Sequence, residues 1–207
     1  LLGHSEGGLI APMVAVRRPD VAFVVLLAAP GVTGEEIIYV QGEAINRATG
    51  GTDEDIARER KTQQMMFAIV KQEKDAAAAA EKMTAAMRDH ITRMTKEQQA
   101  KLGSIDDHIA AQIKAVNSPW FRNFLTYDPR PTLARVRCPV LALNGALDLQ
   151  VLPNQNLGEL TKALKAGGNT EVTAREMPGL NHLFQHATAG SPTEYSSIEE
   201  TMSPEVL

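Results

Sequence analysis

The chain begins with LLGHSEGG, residues Leu1–Gly8, which places a serine between two glycines after an apolar pair and before a helix-like segment. A strand that turns directly into a helix holds the residue at the turn in a strained backbone conformation. Glycine at Gly3 and Gly7 is expected to relieve the crowding between neighbouring side chains. The pattern predicts that Ser5 stands above a sheet edge, where the helix dipole and the backbone amide of Glu6 stabilise a developing oxyanion.

Strand and helix patterns alternate at both ends of the chain. Residues 21–29 form a continuous apolar run, which is typical of a parallel strand covered on both faces. Further strands are predicted at 138–145 and 170–176, with helices at 7–18 and 153–166 and a first helical turn at 203–207. These patterns predict an α/β fold with a mostly parallel sheet.

Between these ends, strand patterns disappear and helix-forming residues take over. Helices are predicted at 35–48, 53–75, 76–92, 96–102 and 106–116, and Thr52 reads as an N-cap. The chain is therefore divided into a core segment at 1–32, a helical insert at 33–128 and a second core segment at 129–207. Methionines recur at helical spacing in the insert, and we interpret them as packing between helices, with a pliable acyl-binding cleft as the alternative.

Composition excludes several classes of partner. The chain is 43% hydrophobic and carries a net charge of −4, with acidic and basic residues interspersed, so no basic surface for nucleic acid is expected. No apolar run approaches the ~20 residues that a membrane-spanning helix needs. Neither a metal-ligand spacing nor a glycine-rich phosphate loop is present, so no metal or other cofactor is predicted. The single Cys138 reads as a small apolar residue and leaves the compartment open.

A serine becomes a strong nucleophile only with a base and an orienting acid. In a fold with this strand-to-helix turn, the expected chain order is serine, acid, histidine. Asp148 follows a short buried strand that ends at Gly145, and His182 follows the next predicted strand. The 34 residues from Asp148 to His182 accommodate one helix, one strand and two loops, which return both side chains to the same sheet edge. The sequence therefore predicts a Ser5–His182–Asp148 triad.

The remaining histidines fit the triad less well. His4 lies inside the turn and is expected to be structural, while His90 and His108 in the helical insert are expected to face solvent. His186, four residues after His182, either packs near the site or caps its loop. Asp128 precedes a proline where the insert ends and reads as a turn residue.

At these residues the sequence resembles the α/β-hydrolase superfamily, and more narrowly the bacterial serine esterases with a helical cap that are related to serine aminopeptidase-like hydrolases. The resemblance rests on LGHSEGG, CPVLALNGALDLQV and PGLNHLFQHATAGSPTEYSSIEET, with SPWFRNFLTYDPRPTL at the end of the insert. It implies an α/β-hydrolase fold from the nucleophile turn onward and an inserted all-helical cap. It also implies ester hydrolysis through an acyl-enzyme, with Ser5 as nucleophile, His182 as general base and acid, and Asp148 as orienting acid.

The strands and the oxyanion loop that precede the nucleophile in such enzymes have no counterpart in this sequence. We therefore expect a fragment of a longer enzyme that is aggregation-prone and nearly inactive when expressed alone, because an unpaired sheet edge would be exposed. The expected substrate is a small carboxylic ester with a short to medium acyl chain. Three alternatives stay open: a peptidase or amidase, an acyl thioesterase, and a binding module without activity. A peptidase or amidase is among them because Glu35, Glu36 and Glu43 could hold a free amino group.

Overall fold

The computed structural model describes residues 1–207. Its strands, β1 (Leu2–His4), β2 (Val24–Leu27), β3 (Val140–Gly145) and β4 (Val172–Met177), form one sheet in the order β1-β2-β3-β4. All neighbouring strands are parallel. Because parallel strands bring their carboxyl ends to one edge of the sheet, the loops that follow β1, β3 and β4 share that edge. The predicted parallel α/β sheet is confirmed.

Nine α-helices accompany the sheet, and side-chain caps begin many of them. Thr33 forms a reciprocal capping box with Glu36, and Thr52 accepts a hydrogen bond from the Asp55 amide at 3.2 Å, which confirms the predicted N-cap. The helices are α1 (Gly7–Arg17), α2 (Gly34–Ala48), α3 (Asp53–Gln72), α4 (Ala76–Thr92), α5 (Lys96–Lys101), α6 (Ile105–Val116), α7 (Pro119–Thr126), α8 (Arg130–Leu133) and α9 (Pro153–Ala166). None of them is long and apolar enough to cross a membrane.

The strands bury alternate side chains in two separate clusters, as the two-residue period of a strand requires. Leu26 and Ala142 belong to the first cluster, together with residues of α1, α8 and α9. Leu27 and Leu143 belong to the second, which includes Phe184 from the loop after β4. Both faces of the central strands are therefore covered, at the end of the sheet where the loops carry the predicted site.

The chain divides into two compact units. One consists of Leu1–Ile56 and Asp128–Leu207, which carry the sheet, and the other is the helical segment Ala57–Tyr127. The division predicted from the sequence, with boundaries at 33 and 128, stays a prediction.

The helical unit contains several buried apolar side chains. Met66, Met83 and Met87 are each at most 3% exposed, as expected of methionines that pack between helices, whereas Met65 and Met94 are half-buried. His90 is half-buried near Thr62, and burial, reinforced by nearby cations, lowers its pKa. His108 is also half-buried, so both histidines reach solvent with only part of their surface.

Two predicted elements differ from those observed. The strand expected over 21–29 is confined to β2. Ala28 adopts a left-handed φ of 48° and ends the strand, and Phe23, just before the strand, is 57% exposed. The helical turn expected over 203–207 is a 3₁₀ turn at Pro204–Val206, which Ser203 caps through the Glu205 amide.

Candidate active site

The turn between β1 and α1 holds Ser5 in a left-handed backbone conformation, with φ of 53°. Such a conformation is strained for a residue other than glycine and persists where the surroundings fix it. The Ser5 amide donates to Leu27 O on β2 at 2.9 Å, and Ser5 O accepts from the Gly8 amide at 2.8 Å. These bonds clamp the turn from the sheet side and from the helix side, so the predicted strained serine is observed.

Of the two glycines predicted to relieve crowding around Ser5, Gly3 has that role and Gly7 does not. A Cβ at Gly3 would lie 2.1 Å from Gly7 O, so no side chain fits there. A Cβ at Gly7 would meet nothing within 4 Å, and the steric role predicted for Gly7 is therefore wrong. Gly8 takes that role instead, because a Cβ there would lie 2.3 Å from Ala29 Cβ. Close packing of α1 on the sheet depends on Gly8.

Asp148 lies in the loop after β3 and is 1% exposed. Its Oδ1 accepts backbone hydrogen bonds from Gln150 at 2.8 Å and Val151 at 2.9 Å. Its Oδ2 accepts from Asn144 Nδ2 at 3.1 Å and lies 2.8 Å from His182 Nδ1. Each carboxylate oxygen therefore has two hydrogen-bond partners, which fix the orientation of the side chain.

His182 lies in the loop after β4 and is 5% exposed. Since a carboxylate oxygen only accepts hydrogen bonds, His182 Nδ1 is the donor in the 2.8 Å contact with Asp148, and the neutral ring then presents Nε2 as an acceptor. Asn181 shapes the loop, because its Oδ1 accepts from the amides of Leu183 and Gln185. Phe184, with a left-handed φ of 59°, anchors the loop in the second core cluster.

His4 connects the serine turn to the histidine loop. Its Nε2 lies 2.8 Å from His182 O, and since a carbonyl only accepts, His4 donates. The two imidazole rings have centroids 4.9 Å apart. The structure therefore joins Asp148 to His182 and joins His182 to the neighbour of Ser5, whereas no hydrogen bond joins the Ser5 hydroxyl to the His182 ring. The structural role expected of His4 agrees with this contact.

Glu6 occupies the N-cap position of α1 and is exposed. Its side chain does not cap the helix, and α1 has no acidic residue in its first turn. The role of the Glu6 amide in holding an oxyanion stays a prediction. Among residues 1–207, no group of three His, Cys, Asp or Glu side chains could hold a metal ion.

His186 lies outside this network. It is exposed, and its amide and ring contact the Glu200 carboxylate at 2.7 Å and 3.1 Å. The backbone hydrogen bond of His186, followed by its ring, lowers the pKa of Glu200. His186 thus ties the histidine loop to the segment after it, as the loop-capping interpretation predicts.

Sequence reasoning missed Asn144 and Asn181, which hold the acid and the histidine loop. Asn144 is a polar residue in the apolar run VLALNG and lies four residues before the acid. A buried amide in such a strand must find partners, so its position was a usable signal. Asn181 precedes His182 directly, but only the folded loop shows that its oxygen accepts two backbone amides.

No protein-family model matches this sequence, and no curated protein matches it. Solved structures to which this chain is similar include the enol-lactonase from Burkholderia xenovorans LB400, with 20% identity and a TM-score of 0.41 over 85% of this chain. Proline iminopeptidase from Mycobacterium smegmatis has 19% identity and a TM-score of 0.41 over 87% of this chain. Monoacylglycerol lipase from Paleococcus ferrophilus has 19% identity and a TM-score of 0.38 over 95%. This chain spans 55%, 57% and 63% of the length of those three proteins, respectively.

The fold is defined by the order of the strands and by the residues in the loops that follow them. Four parallel strands lie in sequential order, and a left-handed serine joins the first strand to its helix. An aspartate follows the third strand and a histidine follows the fourth, and the two side chains are in contact. This strand order, the serine turn and the positions of these loops are features of the α/β-hydrolase fold.

Proposed function

We propose that this protein is a serine hydrolase that cleaves small carboxylic esters through an acyl-enzyme. The observation that carries the proposal is the buried 2.8 Å contact between Asp148 Oδ2 and His182 Nδ1, at the sheet edge where Ser5 stands on its left-handed turn. A buried carboxylate that fixes one histidine tautomer prepares the other ring nitrogen to accept a proton. His4 keeps that histidine beside the serine turn.

In the first half-reaction, Ser5 Oγ attacks the ester carbonyl carbon while His182 Nε2 takes the hydroxyl proton. The negative charge moves to the carbonyl oxygen, and the Glu6 amide at the start of α1 is proposed to donate to it. The C–O bond to the leaving alcohol then breaks, and His182 returns its proton to that alcohol. Ser5 is left as an acyl ester.

In the second half-reaction, water replaces the alcohol. His182 Nε2 takes a proton from the water, whose oxygen attacks the acyl carbon and forms a second tetrahedral intermediate. Its collapse breaks the bond to Ser5 Oγ, which regains the proton from His182, and a carboxylic acid leaves. Asp148 orients His182 and stabilises the imidazolium that forms twice in each cycle.

The carboxylates that an aminopeptidase would need are engaged elsewhere. Glu36 Oε2 accepts from Thr33 and lies 3.4 Å from Arg130 Nη2, Glu35 accepts from Tyr39, and Glu43 pairs with Arg47. An amino group of a peptide would have to displace these partners. The contacts favour a neutral acyl ester over a substrate with a free amino terminus.

The cap role predicted for residues 33–128 stays part of the proposal. Met66, Met83 and Met87 are each at most 3% exposed, so these three supply no flexible wall for an acyl chain. Acyl-chain selectivity is therefore assigned to residues other than Met66, Met83 and Met87.

A substrate panel on the full-length protein tests the proposal. Nitrophenyl esters with acyl chains of increasing length are compared with aminoacyl nitroanilides and acyl thioesters, and Ser5→Ala is run in parallel. We expect turnover of the esters and its loss in Ser5→Ala. Preference for anilides or thioesters would move the assignment to a peptidase or thioesterase, and no turnover of any substrate would favour a binding module.

A further inference from the structure

Asn144 is a buried amide whose two N–H groups are both used at the site. It lies in β3, is 1% exposed, and donates to Asp148 Oδ2 at 3.1 Å and to Val151 O at 2.9 Å. Its neighbours in the strand, Ala142 and Leu143, are apolar and buried. An amide in such a position is costly unless its hydrogen bonds are satisfied, and here they are satisfied by the loop that carries the acid.

The bond to Asp148 reaches the oxygen that matters for the histidine. Oδ2 accepts from both Asn144 Nδ2 and His182 Nδ1, whereas Oδ1 accepts two backbone amides. The carboxylate is thus fixed against rotation by three donors that do not belong to the histidine. The remaining direction of Oδ2 faces His182 Nδ1.

We propose that Asn144 is a positioning residue for the triad, acting through Asp148. It sets the rotation of the carboxylate, so that Oδ2 faces His182 Nδ1. Its second bond, to Val151 O, closes the acid loop back onto β3. This inference rests on the proposed function of Ser5, His182 and Asp148.

The chain supplies a matched control for the burial of an asparagine. Asn169 is 5% exposed, donates to Val136 O at 3.2 Å and Cys138 O at 2.9 Å, and accepts from the Glu171 amide. It satisfies main-chain groups before β3 and has no contact with the acid. A purely structural role for Asn144 would make the two asparagines equivalent in their effect on the folded enzyme.

The first comparison is between Asn144→Leu and Asn169→Leu in the full-length protein. The concentration of active sites is measured with a fluorophosphonate probe, and kcat and KM are measured with nitrophenyl butyrate. We expect Asn144→Leu to lower kcat roughly 10- to 100-fold with KM changed less than threefold, because a misplaced catalytic group acts on the chemical step. Asn169→Leu is expected to keep kcat per active site within about twofold. Equal losses in the two variants would overturn the inference.

A second variant covers the case in which Asn144→Leu does not fold. Asn144→Asp has nearly the same shape but places a second carboxyl group against Asp148 Oδ2, which His182 Nδ1 also contacts. Two carboxyl groups in contact share one proton, so the added group competes with His182 for Asp148 Oδ2, and kcat is expected to fall about 10-fold or more with KM changed less than threefold. An unchanged kcat would contradict the inference.

A spectroscopic measurement separates failure of this inference from failure of the proposed function. The chemical shift of the His182 Nδ1 proton reports its bond to Asp148 and requires no turnover. We expect the shift to change in Asn144→Leu or Asn144→Asp and to stay constant in Asn169→Leu. An inactive wild-type protein with this response would refute the ester hydrolase but support the positioning role, and an active protein without it would do the reverse.

Discussion

Replacing Asp148 with asparagine tests the electrostatic core of the site with a change of one atom type. The residue is 1% exposed and its two oxygens accept from the amides of Gln150 and Val151 on one side and from Asn144 and His182 on the other. An amide retains one accepting oxygen and brings one NH₂ group. In Asp148→Asn, the NH₂ group must therefore face one of these two pairs of donors.

The structure determines which pair of donors the NH₂ group faces. If the NH₂ group faced Gln150 and Val151, it would oppose two backbone N–H groups that cannot reorient. The amide oxygen is therefore expected to take the Oδ1 position, and the NH₂ group then faces His182 Nδ1. His182 relieves the conflict by moving its proton from Nδ1 to Nε2, which is the nitrogen that must accept the Ser5 proton.

A wrong tautomer in an otherwise intact serine triad costs about 10⁴-fold in kcat. At about 1.36 kcal/mol for each factor of ten, this corresponds to about 5.4 kcal/mol of lost transition-state stabilisation. Stability should fall far less, by about 1–3 kcal/mol, because one buried hydrogen-bond network is only partly unsatisfied. The large ratio between the two effects distinguishes a catalytic acid from a structural one.

The assay compares Asp148→Asn with Asp128→Asn in the full-length protein. Asp128→Asn is the control, because it is the same substitution at a turn, where Asp128 pairs with Arg130 at 2.7 Å. Hydrolysis of nitrophenyl butyrate and thermal unfolding are measured for both variants. Asp128→Asn is expected to keep kcat within about twofold, and an Asp148→Asn enzyme that retains more than a tenth of wild-type kcat would refute the reasoning.

Two further predictions concern the turn and the loop. Gly3→Ala is expected to destabilise the protein by about 1–3 kcal/mol in urea unfolding, because its Cβ would lie 2.1 Å from Gly7 O. A Cβ at Gly7 meets open space, so Gly7→Ala should be neutral or slightly stabilising. Equal effects of the two substitutions on the free energy of unfolding would contradict this geometry. Contact with His186 lowers the pKa of Glu200, so its contribution to stability is present above the ordinary glutamate pKa of about 4.3 and is lost as the pH falls through the lower pKa in the folded protein. Melting temperatures of wild type and Glu200→Gln should therefore converge towards low pH, and a constant difference between them would exclude this linkage.

Much of the fold follows from local sequence patterns. Three elements are predicted by their apolar periodicity or by the residues at their ends. These are the buried run before residue 29, the strand that ends at Gly145 and the helix at 153–166. The Ser5 turn was predictable because few backbone geometries join a strand to a helix in so few residues. Asp148 and His182 followed from the order in which the parallel strands end.

Other features depend on tertiary contacts that no local pattern carries. Gly7 and Gly8 are adjacent and identical in type, yet only Gly8 lies against Ala29. Phe184 adopts a left-handed conformation that its own preferences disfavour, because the second core cluster buries its ring. The helix α7 was a missed local signal, since Ser118 followed by Pro119 marks a helix start.

The most direct test of the central claim is covalent labelling of the full-length protein with a fluorophosphonate. Peptide mapping by mass spectrometry is expected to place the adduct on Ser5, and His182→Ala should abolish or severely slow labelling while leaving the fold intact by circular dichroism. His108→Ala, which changes a half-buried histidine of the helical unit, serves as the control and should label at the wild-type rate. An adduct on another residue, or labelling of Ser5 that does not depend on His182, would contradict the proposed triad.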